Sequence, residues 1–162
     1  MINKILIANR GEIAVRIAKT CKKMNIKVAC IYSKQDEDAY HLNYADEIYY
    51  LGEDPLKGSY LNQRKILDIV KKSNSDAVHP GYGFLSENYK FAKLLESNKK
   101  IFIGPPASAI KLMGDKITSK KLAKKAGVNC IPGINEVINN DKIALKISKS
   151  IGYPIMIKAS AG

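Results

Sequence analysis

The 162-residue sequence predicts an α/β fold built on a doubly wound, mostly parallel sheet. Over the first part of the chain, short apolar runs alternate with segments whose apolar residues recur at helical steps. One strand, helix and strand together take about 30 residues, the length of a parallel strand pair with its crossover helix. No apolar run approaches the ~20 residues of a membrane span. We therefore expect no transmembrane segment.

The individual elements follow from the spacing of apolar residues. Residues 4–9 form a short apolar strand, and the next segment places Ile13, Ile17 and Cys21 on one helical face, with Arg16 on the other. Residues 28–32 form the second strand. The pattern then repeats as strand 47–51, helix 60–72, strand 76–79, helix 87–97 and strand 101–104.

Pro105 and Pro106 interrupt this alternation. We therefore predict one domain over residues 1–106 and a second, mainly helical part over residues 107–162. In the second part the periodicity predicts helices at 107–113, 115–126 and 142–150, followed by a strand at 154–159.

Composition limits the classes of function. The formal charge is +12, but only three of the 27 basic residues are arginine, the side chain favoured for recognising bases and phosphates. A general compositional bias toward lysine accounts for much of the excess of basic over acidic residues. The hypothesis of nucleic-acid binding therefore rests on charge alone. Three cysteines without C-x-x-C spacing favour neither a disulfide framework nor a zinc site. The N-terminal apolar stretch is too short for a signal peptide, and a cytoplasmic protein is expected.

Two loops that follow predicted strands carry the candidate chemistry. The loop at residues 8–13 passes from a strand into a helix N-terminus, which is a natural anion site, but with Gly11 as its single glycine it gives poor support to dinucleotide binding. The alternative is a structural role, in which Gly11 allows a tight turn and Glu12 complements the helix dipole. The loop at residues 79–88 combines histidine, tyrosine, two glycines and an acid, with Ser86 as a predicted helix cap. Its aromatic residues and His79 could equally serve packing. Because parallel strands end at one edge, we expect the loops to face the same side.

Five segments, taken together, make the sequence resemble a known family. They are IANRGEIAVRI, HPGYGFLSEN, IFIGP, LMGDK and GYPIMIKAS. The chain resembles, over essentially its whole length, the N-terminal part of biotin carboxylase, a component of acetyl-CoA, propionyl-CoA and pyruvate carboxylases. The resemblance implies a Rossmann-like domain over residues 1–106. Residues 107–162 would then be a helical linker and the truncated start of an ATP-grasp domain.

The same resemblance implies roles for individual residues. Lys116 and Lys158 would contact ATP, and Arg16 would lie at a dimer interface. No metal ligand and no catalytic residue would lie in this chain, since the family's catalytic groups are expected downstream of Gly162. The pocket for biotin and bicarbonate would be bordered by His79, Tyr82, Gly83 and Glu87.

The complete enzyme implied by the resemblance is an ATP-dependent carbon–nitrogen ligase. It would use magnesium-ATP to activate bicarbonate and would carboxylate biotin on a carrier protein or domain, as a homodimer working with a carboxyltransferase. Acetyl-CoA carboxylase would connect it to fatty acid biosynthesis, and no nucleic acid or membrane partner is expected. Two alternatives remain: a non-catalytic structural or dimerisation module, and another ATP-grasp ligase, such as one that makes carbamoyl phosphate.

Overall fold

The computed structural model of the chain describes residues 1–53, 56–114, 116–131, 133 and 138–157. The chain divides into two compact units, Met1–Ile110 and Lys111–Gly162. Among the residues that the structure describes, no helix is long enough and apolar enough to cross a lipid bilayer.

The first unit is built on a five-stranded sheet in the order β3-β2-β1-β4-β5, and every neighbouring pair is parallel. The predicted α/β class and parallel sheet are confirmed, and each strand predicted within residues 1–106 matches an observed one to within two residues at each end. The strands are β1 (Lys4–Ile7), β2 (Lys27–Ser33), β3 (Glu47–Gly52), β4 (Ala77–His79) and β5 (Ile101–Phe102).

Among the described residues, four α-helices follow the strands of this sheet, and two more lie later in the chain. Two short 3₁₀ helices, Lys34–Asp36 and Tyr40–Tyr44, connect β2 to β3 and have no counterpart in the predicted elements. Turns of three to five residues are too short to show a hydrophobic period. The α-helices are α1 (Gly11–Lys23), α2 (Gln63–Lys72), α3 (Tyr89–Ser97), α4 (Ala107–Met113), α5 (Lys116–Lys125) and α6 (Asp141–Ile151).

Helices cover both faces of the sheet. On one face, Leu6 and Val78 of the central strands pack in an apolar cluster with residues of α2 and α3. On the other face, Ile7 and Val28 pack with Ala14 and its neighbours on α1. β1 is therefore buried on both sides, which explains why its sequence is a continuous apolar run without alternation.

The start of α3 corrects the predicted cap. Ser86 does not cap the helix, because it lies two residues before the N-cap position, in a turn where its backbone N–H donates to Gly83 O (2.9 Å). The cap is Asn88, whose side-chain oxygen accepts a hydrogen bond from Phe91 N at 3.1 Å. α3 consequently begins at Tyr89, two residues later than predicted. Asparagine and serine are both favoured N-cap residues, so composition alone could not separate them.

The second unit contains α5 and α6, and the structure does not support the predicted strand 154–159. Residues 154–157 have no strand conformation, and Ile157 is 87 % exposed. The remainder of that prediction lies outside the described residues. A β-strand requires a neighbouring strand for its backbone hydrogen bonds. The part of this unit that the structure describes contains helices only.

Leu6 is expected to be a major source of stability in the first unit. It is fully buried at the centre of the sheet, so Leu6→Ala should lower the free energy of unfolding by about 2–5 kcal/mol. Leu61, which is 37 % exposed, provides a matched control whose alanine variant should change stability by less than about 0.5 kcal/mol. Urea unfolding followed by circular dichroism measures both. Equal losses for the two variants would contradict the packing described above.

Candidate functional site

The two loops that carry the candidate chemistry meet at one edge of the sheet. β1 and β4 are adjacent and parallel, with Ile7 opposite His79, so the chain leaves both strands in the same direction. The strand order reverses between these two strands, because β2 and β3 lie to one side of β1, and β4 and β5 lie to the other. Such a switch point is where open α/β sheets bind ligands. The predicted common edge is confirmed.

Asn9 joins the two loops through its side chain. Its Nδ2 donates hydrogen bonds to Pro80 O at 2.7 Å and to Tyr82 O at 2.9 Å. Its Oδ1 accepts a hydrogen bond from Arg10 N at 2.9 Å. Asn9 is only 2 % exposed, and these three contacts satisfy both of its donors and its acceptor. The loop that follows β4 (residues 80–88, the β4 loop) is therefore held against the end of β1.

Gly81 allows this close approach. Its φ of +66° lies in the left-handed region, and a β-carbon at this position would lie 2.5 Å from Asn9 Nδ2 and 2.8 Å from Ile13 Cγ2. Gly83 has nearly the same φ, +67°, but a β-carbon there would meet no atom within 4 Å. Gly81 is thus required by conformation and space, and Gly83 by conformation alone.

His79 supports the turn from within. Its Nδ1 accepts a hydrogen bond from Gly81 N at 3.0 Å, which places the proton of the neutral ring on Nε2. Burial lowers the pKa of His79 below its ordinary value, so the ring is neutral at pH 7. One ring nitrogen is engaged by the loop itself. The Nε2–H group is left as the donor that this residue could offer to a ligand.

The remaining predicted pocket residues lie on the surface of the same loop. Tyr82 is 69 % exposed, and Gly83 and Glu87 are also exposed. Phe84, directly after Gly83, has a φ of +39°, an unusual value for an aromatic residue. The loop therefore presents a phenol, a carboxylate and an uncovered stretch of backbone to solvent, groups that suit a small polar ligand.

A cluster around Arg10 was not found by sequence analysis. The Arg10 guanidinium pairs with Asp36, with Nη1–Oδ1 and Nη1–Oδ2 distances of 3.3 and 3.4 Å. Asp36 Oδ2 also accepts hydrogen bonds from Ser33 Oγ and Tyr60 OH, both at 2.9 Å. The only sequence signal was the position of Arg10 in the first loop. Asp36 and Tyr60 lie in segments without a motif.

The charge state of Asp36 follows from these contacts. Burial acts to raise the pKa of its carboxyl group. The hydrogen bonds from Tyr60 and Ser33 and the positive charge of Arg10 outweigh that effect and lower the pKa below its ordinary value. The pKa of the Tyr60 hydroxyl is raised, first by burial and then by its bond to Asp36. At neutral pH the cluster therefore contains a carboxylate, a guanidinium and a protonated phenol.

The other predicted site residues are Arg16 and the two lysines. Arg16 is exposed on α1 and lines a groove with Glu12, Lys19 and Tyr40, and its predicted interface role stays a prediction. Lys116 begins α5, but its side chain lies outside what the structure describes, as does Lys158 entirely. Within the described part of the chain, no group of three or more His, Cys, Asp or Glu residues is placed to hold a metal ion.

The two glycines of the β4 loop provide a matched test of this geometry. Both Gly81→Ala and Gly83→Ala place a side chain at positive φ, which costs roughly 1 kcal/mol in each case. Gly81→Ala must also displace the Asn9 side chain, so we expect it to lose about 1–3 kcal/mol more than Gly83→Ala. Denaturant unfolding of the two variants measures the difference. Indistinguishable stabilities would show that Asn9 does not hold the loop at this distance.

Comparison with known proteins shows close relatives along the whole chain. It is 54% identical over 162 residues to a propionyl-CoA carboxylase alpha chain of Ruegeria pomeroyi, and it spans 24% of that protein. It is 54% identical over 160 residues to the mitochondrial propionyl-CoA carboxylase alpha chain of Homo sapiens, spanning 22% of it. Biotin carboxylase 1 of Bacillus subtilis is 47% identical over 162 residues, with 36% of its length covered. The chain thus spans about a quarter to a third of these relatives.

Solved structures agree with these relatives. The biotin carboxylase domain dimer of Hydrogenobacter thermophilus 2-oxoglutarate carboxylase, in complex with MgADP, ADP and bicarbonate, matches with a TM-score of 0.92 and 46% identity. A biotin carboxylase complex with β,γ-ATP from Campylobacter jejuni matches with a TM-score of 0.93 and 44% identity. Each match covers 100% of this chain and 36% of the other.

Family models divide the chain between two descriptions. Residues 115–162 match the ATP binding domain of the carbamoyl-phosphate synthase L chain. Residues 1–110 match the N-terminal domain of biotin carboxylase, and this match includes both loops at the candidate site. The chain belongs to the biotin carboxylase family, as its N-terminal domain followed by residues of the ATP-binding domain.

Proposed function

We propose that the chain is the N-terminal part of a biotin carboxylase, the ATP- and bicarbonate-dependent ligase that carboxylates biotin on a carrier protein. The observation that carries the proposal is the match to carboxylases over all 162 residues, across both family-model regions, at 47–54% identity. Residues 1–106 would be the Rossmann-like domain, and residues 107–162 the linker and the start of the ATP-grasp domain. The chain would fold but would not turn over substrate alone.

In this proposal the loop at residues 79–87 borders the pocket for biotin and bicarbonate. Tyr82 and Gly83 would contact the ligand, since both are exposed at the switch point of the sheet. Glu87 lies exposed at the end of the same loop. His79 would contribute through the turn that its Nδ1 stabilises and through its free donor.

ATP would be bound from the second part of the chain. Lys116 and Lys158 would each place a positive charge near the phosphates, and such charge-assisted contacts are worth about 1.5–3 kcal/mol. The two nucleotide complexes among the structural neighbours support a nucleotide as the ligand. No magnesium ligand is proposed among the described residues, because they contain no group of three or more His, Cys, Asp or Glu side chains placed to hold a metal ion. The catalytic groups would likewise lie in other parts of the enzyme.

The proposed partners are the biotin carboxyl carrier protein or domain, a carboxyltransferase and a second copy of the enzyme. A homodimer is supported by the Hydrogenobacter thermophilus neighbour, whose structure is described as a dimer. Arg16 would take part in that interface from the exposed face of α1. No nucleic acid or membrane partner is proposed. The cytoplasmic location stays a prediction, and the human relative is mitochondrial by name.

The alternatives are not favoured. Relatives that align with both parts of the chain include carboxylase subunits and biotin carboxylases, which argues against a carbamoyl-phosphate-synthesising enzyme and against a purely structural module. These relatives include propionyl-CoA and pyruvate carboxylases. The expected link to acetyl-CoA carboxylase and fatty acid biosynthesis therefore gains no support from them.

The ATP-binding part of the proposal is tested with three lysine variants in the complete carboxylase that contains this sequence. Lys116→Gln and Lys158→Gln should each raise the KM for ATP by ten- to a hundredfold, at about 1.4 kcal/mol per tenfold change. Lys124→Gln, at an exposed position on α5, is the control and should change it less than twofold. The readout is biotin-dependent ATP hydrolysis. Equal effects at all three positions would indicate general positive charge and not placed contacts.

A further inference from the structure

We propose that Arg10 is a positioning residue for the biotin side of the pocket, acting by holding Phe84 and the loop before it in place. The inference rests on the proposed function of the loop at residues 79–87. Arg10 lies in the loop between β1 and α1, and Phe84 lies in the β4 loop. A contact between them therefore crosses the switch point of the sheet.

The Arg10 guanidinium contacts two aromatic rings and one carboxylate. Its central carbon lies 5.7 Å from the centroid of the Tyr60 ring and 5.8 Å from that of Phe84. A guanidinium at this distance from aromatic rings is attracted to their π faces. Its Nη1 pairs with Asp36 at 3.3 Å. Arginine is suited to this role because its planar group can stack and form directed hydrogen bonds at once.

Asp36 fixes the direction of Arg10. The Asp36 side chain is mostly buried, and its carboxylate also accepts hydrogen bonds from Ser33 Oγ and Tyr60 OH. Tyr60 is 1 % exposed, so the phenol that holds Asp36 is itself fixed in the core. The negative charge of Asp36 also compensates the positive charge of Arg10. This favours a bracing role for the arginine over direct capture of an anion.

Tyr60 connects Asp36 and Arg10 to Phe84 through an aromatic stack. The rings of Tyr60 and Phe84 are nearly parallel, with an 8° interplanar angle and centroids 5.1 Å apart. Phe84 has a φ of +39°, a conformation that a bulky residue keeps only when its surroundings hold it. Gly83 and Tyr82, the proposed ligand contacts, directly precede it. Loss of Arg10 would therefore loosen the backbone that presents them.

The first experiment measures hydrogen exchange of the backbone amides in the 162-residue chain. In Arg10→Gln, the amides of Gly81 and Ser86, which donate hydrogen bonds to His79 Nδ1 and Gly83 O, should exchange at least tenfold faster, while the amides of β1 and β2 keep their rates. Arg10→Lys should fall between, because it keeps a positive charge that can pair with Asp36 and loses the guanidinium that lies near both rings. Arg64→Gln, at an exposed arginine on α2, is the matched control and should change nothing. Unchanged loop exchange in Arg10→Gln would overturn the proposal.

A second variant covers the case in which Arg10→Gln unfolds the chain. Phe84→Leu leaves the Arg10–Asp36 pair intact and removes the aromatic ring that transmits its effect. The same tenfold acceleration at the amides of Gly81 and Ser86 is expected. Loop amides that exchange at the unaltered rate in Phe84→Leu would contradict the role of the stack.

The functional consequence is measured in the complete carboxylase with free biotin as the substrate. Arg10→Gln should raise the KM for biotin about tenfold and leave the KM for ATP within twofold, with partial recovery in Arg10→Lys. A residue that only stabilised the fold would affect both substrates alike. An unchanged KM for biotin in Arg10→Gln would overturn the inference if Tyr82→Ala raises that constant.

Tyr82→Ala separates failure of this inference from failure of the proposed function. If Tyr82→Ala raises the KM for biotin and Arg10→Gln does not, the loop borders the pocket and Arg10 does not position it. If Tyr82→Ala leaves the KM for biotin unchanged, the proposed role of the loop is wrong. The inference about the pocket is then overturned with it, whatever the exchange experiment shows.

Discussion

The side chain of Asn9 is the contact on which the candidate site depends. Its amide nitrogen binds two carbonyl oxygens of the β4 loop, Pro80 O and Tyr82 O, while its oxygen accepts from the next backbone N–H. A buried amide must have its hydrogen bonds satisfied, because an unpaired donor at this depth costs about 1–3 kcal/mol. The β4 loop can therefore adopt this path only where β1 ends with a donor side chain.

Asn9 and the adjacent Arg10 together connect the loops at this edge of the sheet. Asn9 ties the end of β1 to the β4 loop, and Arg10 ties it to Asp36 after β2 and to Tyr60 before α2. Phe84 completes the connection by stacking on Tyr60. Three strand ends at the centre of the sheet are thus joined through side chains. The loop that carries the exposed Tyr82 is thereby supported by Asn9 and Tyr60, which are themselves buried.

The sequence could predict the elements but not the contacts between distant segments. β1 and α1 show strong local periods, and the common edge of the two loops follows from the parallel sheet. The pairing of Asp36 with Arg10 joins residues 26 positions apart, and nothing in either segment marks it. The cap of α3 was misassigned because Ser86 and Asn88 are both good cap residues. The predicted strand near residue 155 failed because pairing depends on a neighbour.

The central claim is tested most directly by comparing one substitution at two asparagines. Asn9 acts mainly as a donor to carbonyl oxygens, whereas Asn88 acts as an acceptor at the cap of α3. Asn9→Asp would set a carboxylate against two carbonyl oxygens, and the free energy of unfolding in urea at pH 7 should fall by at least about 2 kcal/mol. Asn88→Asp keeps its acceptor and should change stability by less than about 0.5 kcal/mol. Equal stabilities for the two variants would contradict the account, because they would show that the Asn9 amide does not hold the loops together.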